Sequence, residues 1–129
     1  MYSDPISDLL CRVFTASKAL LPQIELPHSK LKESIVKILK DEGYINDYSV
    51  EGDKKKILKI KLKYSKRQGV IEAVKRVSKP GCRVYAGAKE IPKVRGGLGT
   101  VIMSTPKGVI TGREAAKLRV GGEVICYIW

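Results

Sequence analysis

The chain has 129 residues, 43% of them hydrophobic and 29% charged, which is typical of one or two small globular domains. Lys and Arg number 25 and Asp and Glu number 13, so the net charge is +12. No apolar run approaches the roughly 20 residues that span a bilayer, and Asp4 and Asp8 interrupt the N-terminal stretch, so we expect neither a signal peptide nor a membrane anchor.

The positive charge is concentrated in the second half of the chain. Residues 1–64 carry 12 basic and 9 acidic residues, a net +3, whereas residues 65–129 carry 13 and 4, a net +9. This asymmetry indicates a polyanionic partner, either a nucleic acid or an anionic membrane surface. A solvated basic surface without a specific partner is the alternative.

The cysteine pattern excludes two common uses of cysteine. Cys11, Cys82 and Cys126 are odd in number, far apart and without CxxC or Cys/His spacing, which disfavours a zinc site and a disulfide framework. We therefore expect three buried thiols in a reducing cytosol.

The first predicted element is an amphipathic helix. Apolar residues recur at helical spacing from Ile6 to Leu21, Ser3 or Asp4 can cap the helix, and Pro22 is expected to end it.

A short strand, a second helix and a hairpin complete the first half. The strand is IEL, the helix begins after the cap residue Ser29 and ends at Gly43, and YINDYSV and ILKIKLKY pair around the turn 51–56. Residues 1–64 are thus predicted to be an α/β domain with two helices on a small sheet.

Residues 65–129 are predicted to form a mainly antiparallel β domain with one short helix. Strand candidates are VIEAVKRV, CRVYAG, LGTVIMST and EVICYIW, and Thr111 with Glu114 forms a capping box for a helix that Gly121 and Gly122 stop. The domain boundary is expected within SKRQG, at Ser65–Gly69. The predicted fold class is α+β.

The sequence offers little acid–base or nucleotide chemistry. The one histidine, His28, lies between a proline and a helix cap, where a surface or capping role is expected. The segment GGLGTV precedes a strand and lacks the third glycine of a dinucleotide-binding loop. We predict no catalytic residue, metal or cofactor, and retain a small enzyme acting on an anionic substrate only as a rival.

A lysine-rich strand is the first candidate contact surface. In LKIKLKY, Lys59, Lys61 and Lys63 alternate with apolar residues, so all three lie on one face. This face is either a solvent face that lysines protect from edge pairing or a stripe that contacts phosphates.

The segment SKPGCRVYAG is a second candidate. Alternation places Arg83 and Tyr85 on one face and Val84 on the other. A cation beside an aromatic ring suits an unstacked base or a sugar–phosphate backbone, and a half-buried structural tyrosine is the alternative.

The turn after LGTVIMST is the third candidate. Ser104 and Thr105 end the strand, Pro106 fixes the turn, and Lys107 and Gly108 expose charge and main-chain N–H. Hydroxyl groups both donate and accept hydrogen bonds, so they can read a base edge or a ribose 2′-OH. The same residue types also simply favour turns.

These residues carry a resemblance to a known family. The C-terminal stretch STPKGVITGREAAKLRVGGEVICYIW resembles the signature of the eighth protein of the small ribosomal subunit in its bacterial form. The segments DPISDLL, SKLKESIVKILKDEGYI, RVSKPGCRVY and EIPKVRGGLG agree with it, so the resemblance covers essentially the whole chain.

The resemblance implies a two-domain structural protein of the ribosome. An N-terminal α/β domain packs on the C-terminal β domain, and the protein binds the central domain of small-subunit ribosomal RNA early in assembly. It further implies neighbouring ribosomal proteins as partners, a free monomer in the cytoplasm, and repression of the protein's own operon messenger RNA through a mimic of the ribosomal site.

The resemblance also assigns RNA-binding residues by position. The RNA-reading loop maps onto Ser104, Thr105, Lys107 and Gly108, with Glu123 in support, Arg83 and Tyr85 nearby, and Lys30 and Lys32 as backbone contacts from the N-terminal domain. Lys59 and Lys61 join the set through the strand pattern above.

One position departs from the family. Relatives usually carry serine where this chain has Pro106, so one hydroxyl and one main-chain N–H are missing from the loop. Besides the enzyme, a DNA-binding module and an anionic-membrane module remain as rival interpretations.

Overall fold

The computed structural model describes residues 4–65 and 68–129, and it divides into two compact units. One unit is Pro5–Glu72, and the other is Ala73–Trp129 together with Asp4. Across the described ranges, three α-helices accompany antiparallel sheets, so the predicted α+β class is confirmed. No helix in this part of the chain is long and apolar enough to cross a membrane. Ser3, Lys66 and Arg67 lie outside the described residues.

The first unit is a three-stranded antiparallel sheet with two helices and a small separate hairpin. The strand order is β1–β3–β2, and β4 pairs with β5. The elements are α1 (Pro5–Lys18), β1 (Gln23–Pro27), α2 (Lys30–Asp41), β2 (Ile45–Glu51), β3 (Ile57–Leu62), β4 (Tyr64–Ser65) and β5 (Gln68–Gly69).

The central strand β3 supplies the middle of this unit's core. Leu58, Ile60 and Leu62 are buried, while Lys61 is exposed and Lys59 partly exposed. The predicted alternation is therefore confirmed, because successive side chains of a strand point to opposite faces.

The helix ends agree with the sequence in α2 and differ in α1. The Ser29 side chain accepts a hydrogen bond from the Lys32 main-chain N–H at 3.2 Å, and Gly43 follows α2 with φ +83°, both as predicted. The expectation that Pro22 ends α1 is wrong. The helix ends at Lys18 because Leu20 adopts φ +59° and its N–H bonds to Ser17 O, and Leu20 itself is 54% exposed.

The second unit is built around its last strand. Strand β10 lies between β6 and β8, β9 pairs with β8, and the short β7 also pairs with β10. The elements are β6 (Val74–Arg76), β7 (Tyr85–Ala86), a 3₁₀ turn (Arg95–Gly97), β8 (Thr100–Thr105), β9 (Gly108–Thr111), α3 (Gly112–Leu118) and β10 (Gly122–Ile128).

Helix α3 covers one face of this sheet. Its Ala115 is buried with Val101, Met103 and Val124, and partly buried residues such as Val84 pack around them. Strand β9 was not predicted from the sequence. It has only four residues, and they lie directly between the preceding turn and the start of α3. The predicted stop of α3 at Gly121 and Gly122 is also wrong: Arg119 ends the helix in the left-handed conformation, with φ +56°.

The two units divide between Glu72 and Ala73, whereas residues 65–69 were the expected boundary. Two observations tie the intervening residues to the first unit. Tyr64–Ser65 and Gln68–Gly69 pair with each other, and Ile71 is buried. The boundaries 1–64 and 65–129 remain a prediction.

The thiols differ from the expectation. Cys126 in β10 is buried, and burial raises the pKa of its thiol to about 12, an effect that the Arg76 charge partly opposes. Cys11 and Cys82 are exposed, so the expectation of three buried thiols is wrong for these two. Cys11 is exposed on α1, and Cys82 lies at the end of a turn that its bridge with Lys79 closes.

The ion pair between Arg76 and Asp4 supplies a test of what stabilises the second unit. Arg76 Nε lies 3.0 Å from Asp4 Oδ2, both side chains are nearly buried, and Arg76 Nη1 also donates to Ile125 O at 2.7 Å. We expect Arg76→Met to lower the free energy of unfolding by about 3 kcal/mol, because it leaves a carboxylate buried without its cation. Urea denaturation measures this loss. Lys75→Met is the matched control at the exposed neighbour, and an equal loss in both variants would contradict the prediction.

Candidate nucleic-acid interface

The turn between β8 and β9 is a tight hairpin connection. Thr105 pairs with Gly108, so Pro106 and Lys107 are its two central residues. Gly108 has φ +109°, in the region that glycine adopts without strain. Pro106, Lys107 and Gly108 are all exposed, so charge and main chain are presented to solvent, as the sequence indicated.

The two hydroxyl groups of this turn have different surroundings. Thr105 Oγ1 accepts from the Lys107 N–H at 3.1 Å and donates to Gly108 O at 2.9 Å, so it is used to hold the turn. Ser104 is exposed immediately before it. The Ser104 hydroxyl is therefore the one directly presented for recognition, and Thr105 shapes the turn beside it.

Three of the residues suggested by the sequence lie in one row across the sheet. Ser104 of β8 pairs with Glu123 of β10, and Glu123 pairs with Tyr85 of β7. Directly opposed residues of antiparallel strands share a face, so these side chains stand side by side. We call Ser104, Glu123 and Tyr85 the reading row.

Charge and aromatic surface accompany the reading row. Arg83 Nη1 lies 3.4 Å from Glu123 Oε1, and Tyr85 is 69% exposed. The ring is thus a free surface and not a half-buried structural tyrosine. The Arg83 guanidinium partly neutralises the only carboxylate of the row and retains further N–H donors.

The reading row lies on the face of the sheet opposite α3. Met103 and Val124, the neighbours of Ser104 and Glu123, are buried in the α3 core. The alternation of strand side chains then directs Ser104 and Glu123 away from the helix. On this face Ser104 and Tyr85 are exposed, and the Glu123 side chain between them is 20% exposed.

Two glycines let the strands of the row approach each other. A Cβ on Gly122 would lie 2.2 Å from Ser104 O, and one on Gly121 would lie 2.6 Å from Ala86 O. From the sequence, these glycines were predicted only as a helix stop, and their role between the strands was missed. The available signal was a glycine pair directly before the strand EVICYIW, since glycine in or next to a strand often marks a close backbone approach.

The N-terminal lysines of the candidate set differ in availability. Lys30 is exposed at the start of α2. Lys32 is buried, with 9% of its surface exposed, and its Nζ donates to Pro27 O at 3.2 Å. The Lys32 ammonium therefore joins α2 to β1 and does not lie on the surface with Lys30.

The lysine strand is largely compensated by acids on its neighbours. Lys59 Nζ lies 2.8 Å from Glu51 Oε2 and 3.7 Å from Glu25 Oε1, and the bond to Glu51 raises the pKa of Lys59. Lys61 is exposed and lies opposite Asp47, whose own partner is Lys40 at 3.1 Å. These pairs favour a solvent face over a continuous phosphate stripe.

The described residues do not assemble a catalytic or metal centre. His28 Nε2 contacts Glu33 Oε1 at 2.8 Å next to the α2 cap, and its main-chain N–H donates to Lys56 O. In the described ranges no group of His, Cys, Asp and Glu is arranged to hold a metal ion. What the second unit does present is hydroxyl, carboxylate, guanidinium and phenol groups on one open face, which together can donate to, accept from and stack on a polar, planar ligand.

Comparisons with known proteins all point to one family. The model of the family described as "Ribosomal protein S8" matches residues 4–129. The chain is 55% identical to "Small ribosomal subunit protein uS8" of Mycoplasmopsis synoviae, with 98% of each chain covered. It is 52% identical to the proteins of the same name from Solibacter usitatus and Thermus aquaticus, with 100% of each chain covered.

The close approach at Gly122 can be tested directly. We expect Gly122→Ala to destabilise the second unit by about 1–3 kcal/mol, because the added methyl meets Ser104 main chain that cannot move without shifting β8. Urea denaturation measures the loss, and hydrogen exchange of the Thr105–Gly108 pair reports whether the turn loosens. Gly81→Ala is the matched control, because nothing lies within 4 Å of its Cβ position. Unchanged stability and exchange in Gly122→Ala would refute the role given to this residue.

Proposed function

The chain belongs to the ribosomal protein S8 family, and from this we propose that it is a structural RNA-binding component of the small ribosomal subunit. Membership of this family makes the chain a ribosomal protein and not an enzyme. It acts in the cytoplasm as part of the ribosome. The finer proposal is that it binds small-subunit ribosomal RNA directly, through the second unit, and helps that RNA to assemble.

The observation that carries the proposal is the reading row beside the β8–β9 turn. Ser104, Glu123 and Tyr85 come from three strands and stand together on one open face, in a chain of net charge +12. A hydroxyl donates and accepts, a carboxylate accepts, and a phenol ring stacks. These are the interactions that recognise unpaired bases and ribose 2′-OH groups in folded RNA.

Affinity and specificity are assigned to different residues. Three exposed lysines are suited to phosphate contacts, which do not depend on the RNA sequence: Lys107 next to the row, and Lys30 and Lys61 in the first unit. Arg83 can serve both purposes because its guanidinium offers several donors. Gly108 presents main chain to the RNA, since its lack of a side chain leaves the turn open to close approach.

Lys32 and Lys59 act on the RNA indirectly in this proposal. Lys32 fixes the start of α2 and so the position of Lys30, and Lys59 neutralises Glu25 and Glu51 on the solvent face. Removing Lys59 would leave two carboxylates facing any approaching phosphate.

Pro106 changes how the loop binds compared with the serine that relatives usually carry. Proline has no main-chain N–H and no hydroxyl, so it offers neither contact. We propose that the Ser104 hydroxyl makes the polar contact, beside a turn that Pro106 and the two Thr105 hydrogen bonds hold in shape, one of which already uses the Lys107 N–H.

The RNA target follows from the family resemblance. We propose that the site lies in the central domain of the small-subunit ribosomal RNA, in an irregular helical segment with unpaired bases. We further propose that the protein is a monomer when free, contacts neighbouring small-subunit proteins once bound, and represses its own operon messenger RNA through a segment that mimics the ribosomal site.

Chemical footprinting of naked small-subunit ribosomal RNA at moderate salt tests this function. One protected patch within the central domain is expected, and equal binding to scrambled RNA, matched DNA and anionic vesicles would refute it. The DNA and vesicle samples also distinguish the proposal from its rivals, a DNA-binding module and an anionic-membrane module. Turnover of a phosphorylated small molecule would favour the rival interpretation as an enzyme.

Ser104→Ala tests the specificity role of the reading row. It removes the exposed hydroxyl without disturbing the turn, so we expect cognate affinity to fall about fivefold to tenfold, as for one lost hydrogen bond, with binding to a scrambled stem-loop unchanged. Thr105→Val should also weaken cognate binding, because the Lys107 main-chain N–H loses its hydroxyl acceptor, whereas Thr105→Ser keeps the hydroxyl and should retain affinity. Filter binding at fixed salt measures all three. Equal losses on cognate and scrambled RNA would contradict the assignment.

Lys61→Gln and Lys59→Gln test whether the positive charge of the first unit attracts RNA without regard to its sequence. Each is expected to lower affinity for cognate and scrambled RNA alike, and Lys61→Gln should reduce the slope of log K against log salt by about 1. Titrations between low and moderate salt give the slopes. A loss confined to cognate RNA would mean that these lysines read sequence or shape, against the proposal.

A further inference from the structure

The helix side of the second unit carries more uncompensated charge than the reading row. Five exposed cations against one carboxylate lie on the loop 93–98 and on α3. We call these residues and the loop's Leu98 the α3 flank: Lys93, Arg95, Leu98, Arg113, Glu114, Lys117 and Arg119.

The α3 flank and the reading row lie on opposite sides of one sheet. Helix α3 packs on Met103 and Val124, whose strand neighbours Ser104 and Glu123 point the other way. The loop belongs to the helix side, because Val94 packs into the same core and Arg113 Nη2 donates to Gly97 O.

The cations of the flank have no acidic partners in the part of the chain that the structure describes. The ion pairs of this unit join Arg76 to Asp4 and Arg83 to Glu123. The reading row with Arg83 and Lys107 therefore carries one net positive charge, whereas the flank carries four. Three of the five flank cations are arginines, whose planar donors fit phosphate oxygens two at a time.

The flank is also held in place before any ligand binds. The loop closes on itself through Gly97 N to Val94 O at 3.0 Å, Leu98 N to Arg95 O at 3.2 Å and Gly99 N to Val94 O at 3.0 Å. The Arg95 guanidinium lies 5.4 Å from the centre of the Trp129 ring. Arg113 and Lys117 are four residues apart on α3, so they project from the same side of the helix.

From these observations we infer that the α3 flank is a second RNA-binding surface, which contacts the phosphate backbone of a segment different from the one at the reading row. A rigid cluster of unpaired arginines and lysines matches a phosphate backbone in charge and in donor geometry, and a preformed loop lowers the cost of ordering on binding. This inference rests on the proposed function, and it means that the second unit is clamped between two parts of one folded RNA.

The test compares a flank variant with a charge-matched control in the full chain. Lys93→Gln with Lys117→Gln removes two exposed charges and leaves the Arg95 and Arg113 contacts intact. The control, Lys37→Gln with Lys55→Gln, removes two exposed charges from the other unit. The two RNA probes are the short central-domain stem-loop protected in footprinting and a transcript of the whole central domain.

On the whole-domain transcript, the flank variant is expected to bind more weakly than the control. Its slope of log K against log salt should be shallower than that of the wild type by about 1.4–1.8, which corresponds to two lost phosphate contacts. On the short stem-loop the flank variant and the control should bind alike.

Two results would overturn the inference alone. Equal behaviour of flank variant and control on the whole-domain transcript would assign the flank to a protein partner, for which the 86% exposed Leu98 offers an apolar anchor. Equal losses on both RNAs would place the flank at the same segment as the row. In either case the proposed function stands as long as the wild type binds central-domain RNA more tightly than scrambled RNA. If the wild type binds the two RNAs equally, both the proposed function and the inference about the α3 flank are overturned.

Discussion

The close approach of three strands at the start of β10 is the constraint on which the candidate interface depends. Gly121 lies against the main chain of β7 and Gly122 against that of β8, at distances that leave no space for a methyl group. Only there can Tyr85, Glu123 and Ser104 stand in one line, because each comes from a different strand. A side chain at either glycine would separate the strands and with them the three side chains of the reading row. The reading row is thus positioned by two residues that have no side chain.

The net charge of the protein does not show which of its basic side chains lack an acidic partner. In the first unit, lysines of the sheet face carboxylates, and Lys59 is shared by two of them. In the second unit, Arg83 offsets the charge of Glu123 at the reading row, and five exposed cations lie around α3. The largest group of exposed cations and the hydroxyl, carboxylate and phenol groups of the reading row therefore lie on different surfaces of the second unit.

Local patterns were sufficient for much of the fold and for part of the site. The alternation in β3, the cap at Ser29 and the glycine after α2 are all decided by neighbours in sequence, and they were predicted correctly. The end of α1 at Lys18 and the bond from Lys32 to Pro27 O involve residues only a few positions away, but neither hydrophobic periodicity nor a capping pattern marks them. The pairing of Lys59 with Glu25 joins residues distant in the chain, so no local pattern contained it. The same holds for Glu123, which only the family resemblance identified and only strand pairing brings beside Ser104.

The uneven accessibility of the cysteines has a practical consequence. Cys126 is sealed within β10, while Cys11 belongs to the unit Pro5–Glu72 and Cys82 to the unit that ends at Trp129. A maleimide reagent will therefore attach one fluorophore to each unit of the natural sequence and spare the interior. Energy transfer between such a donor and acceptor reports, without any engineered mutation, whether the two halves of the molecule hold a fixed separation before and after RNA is added.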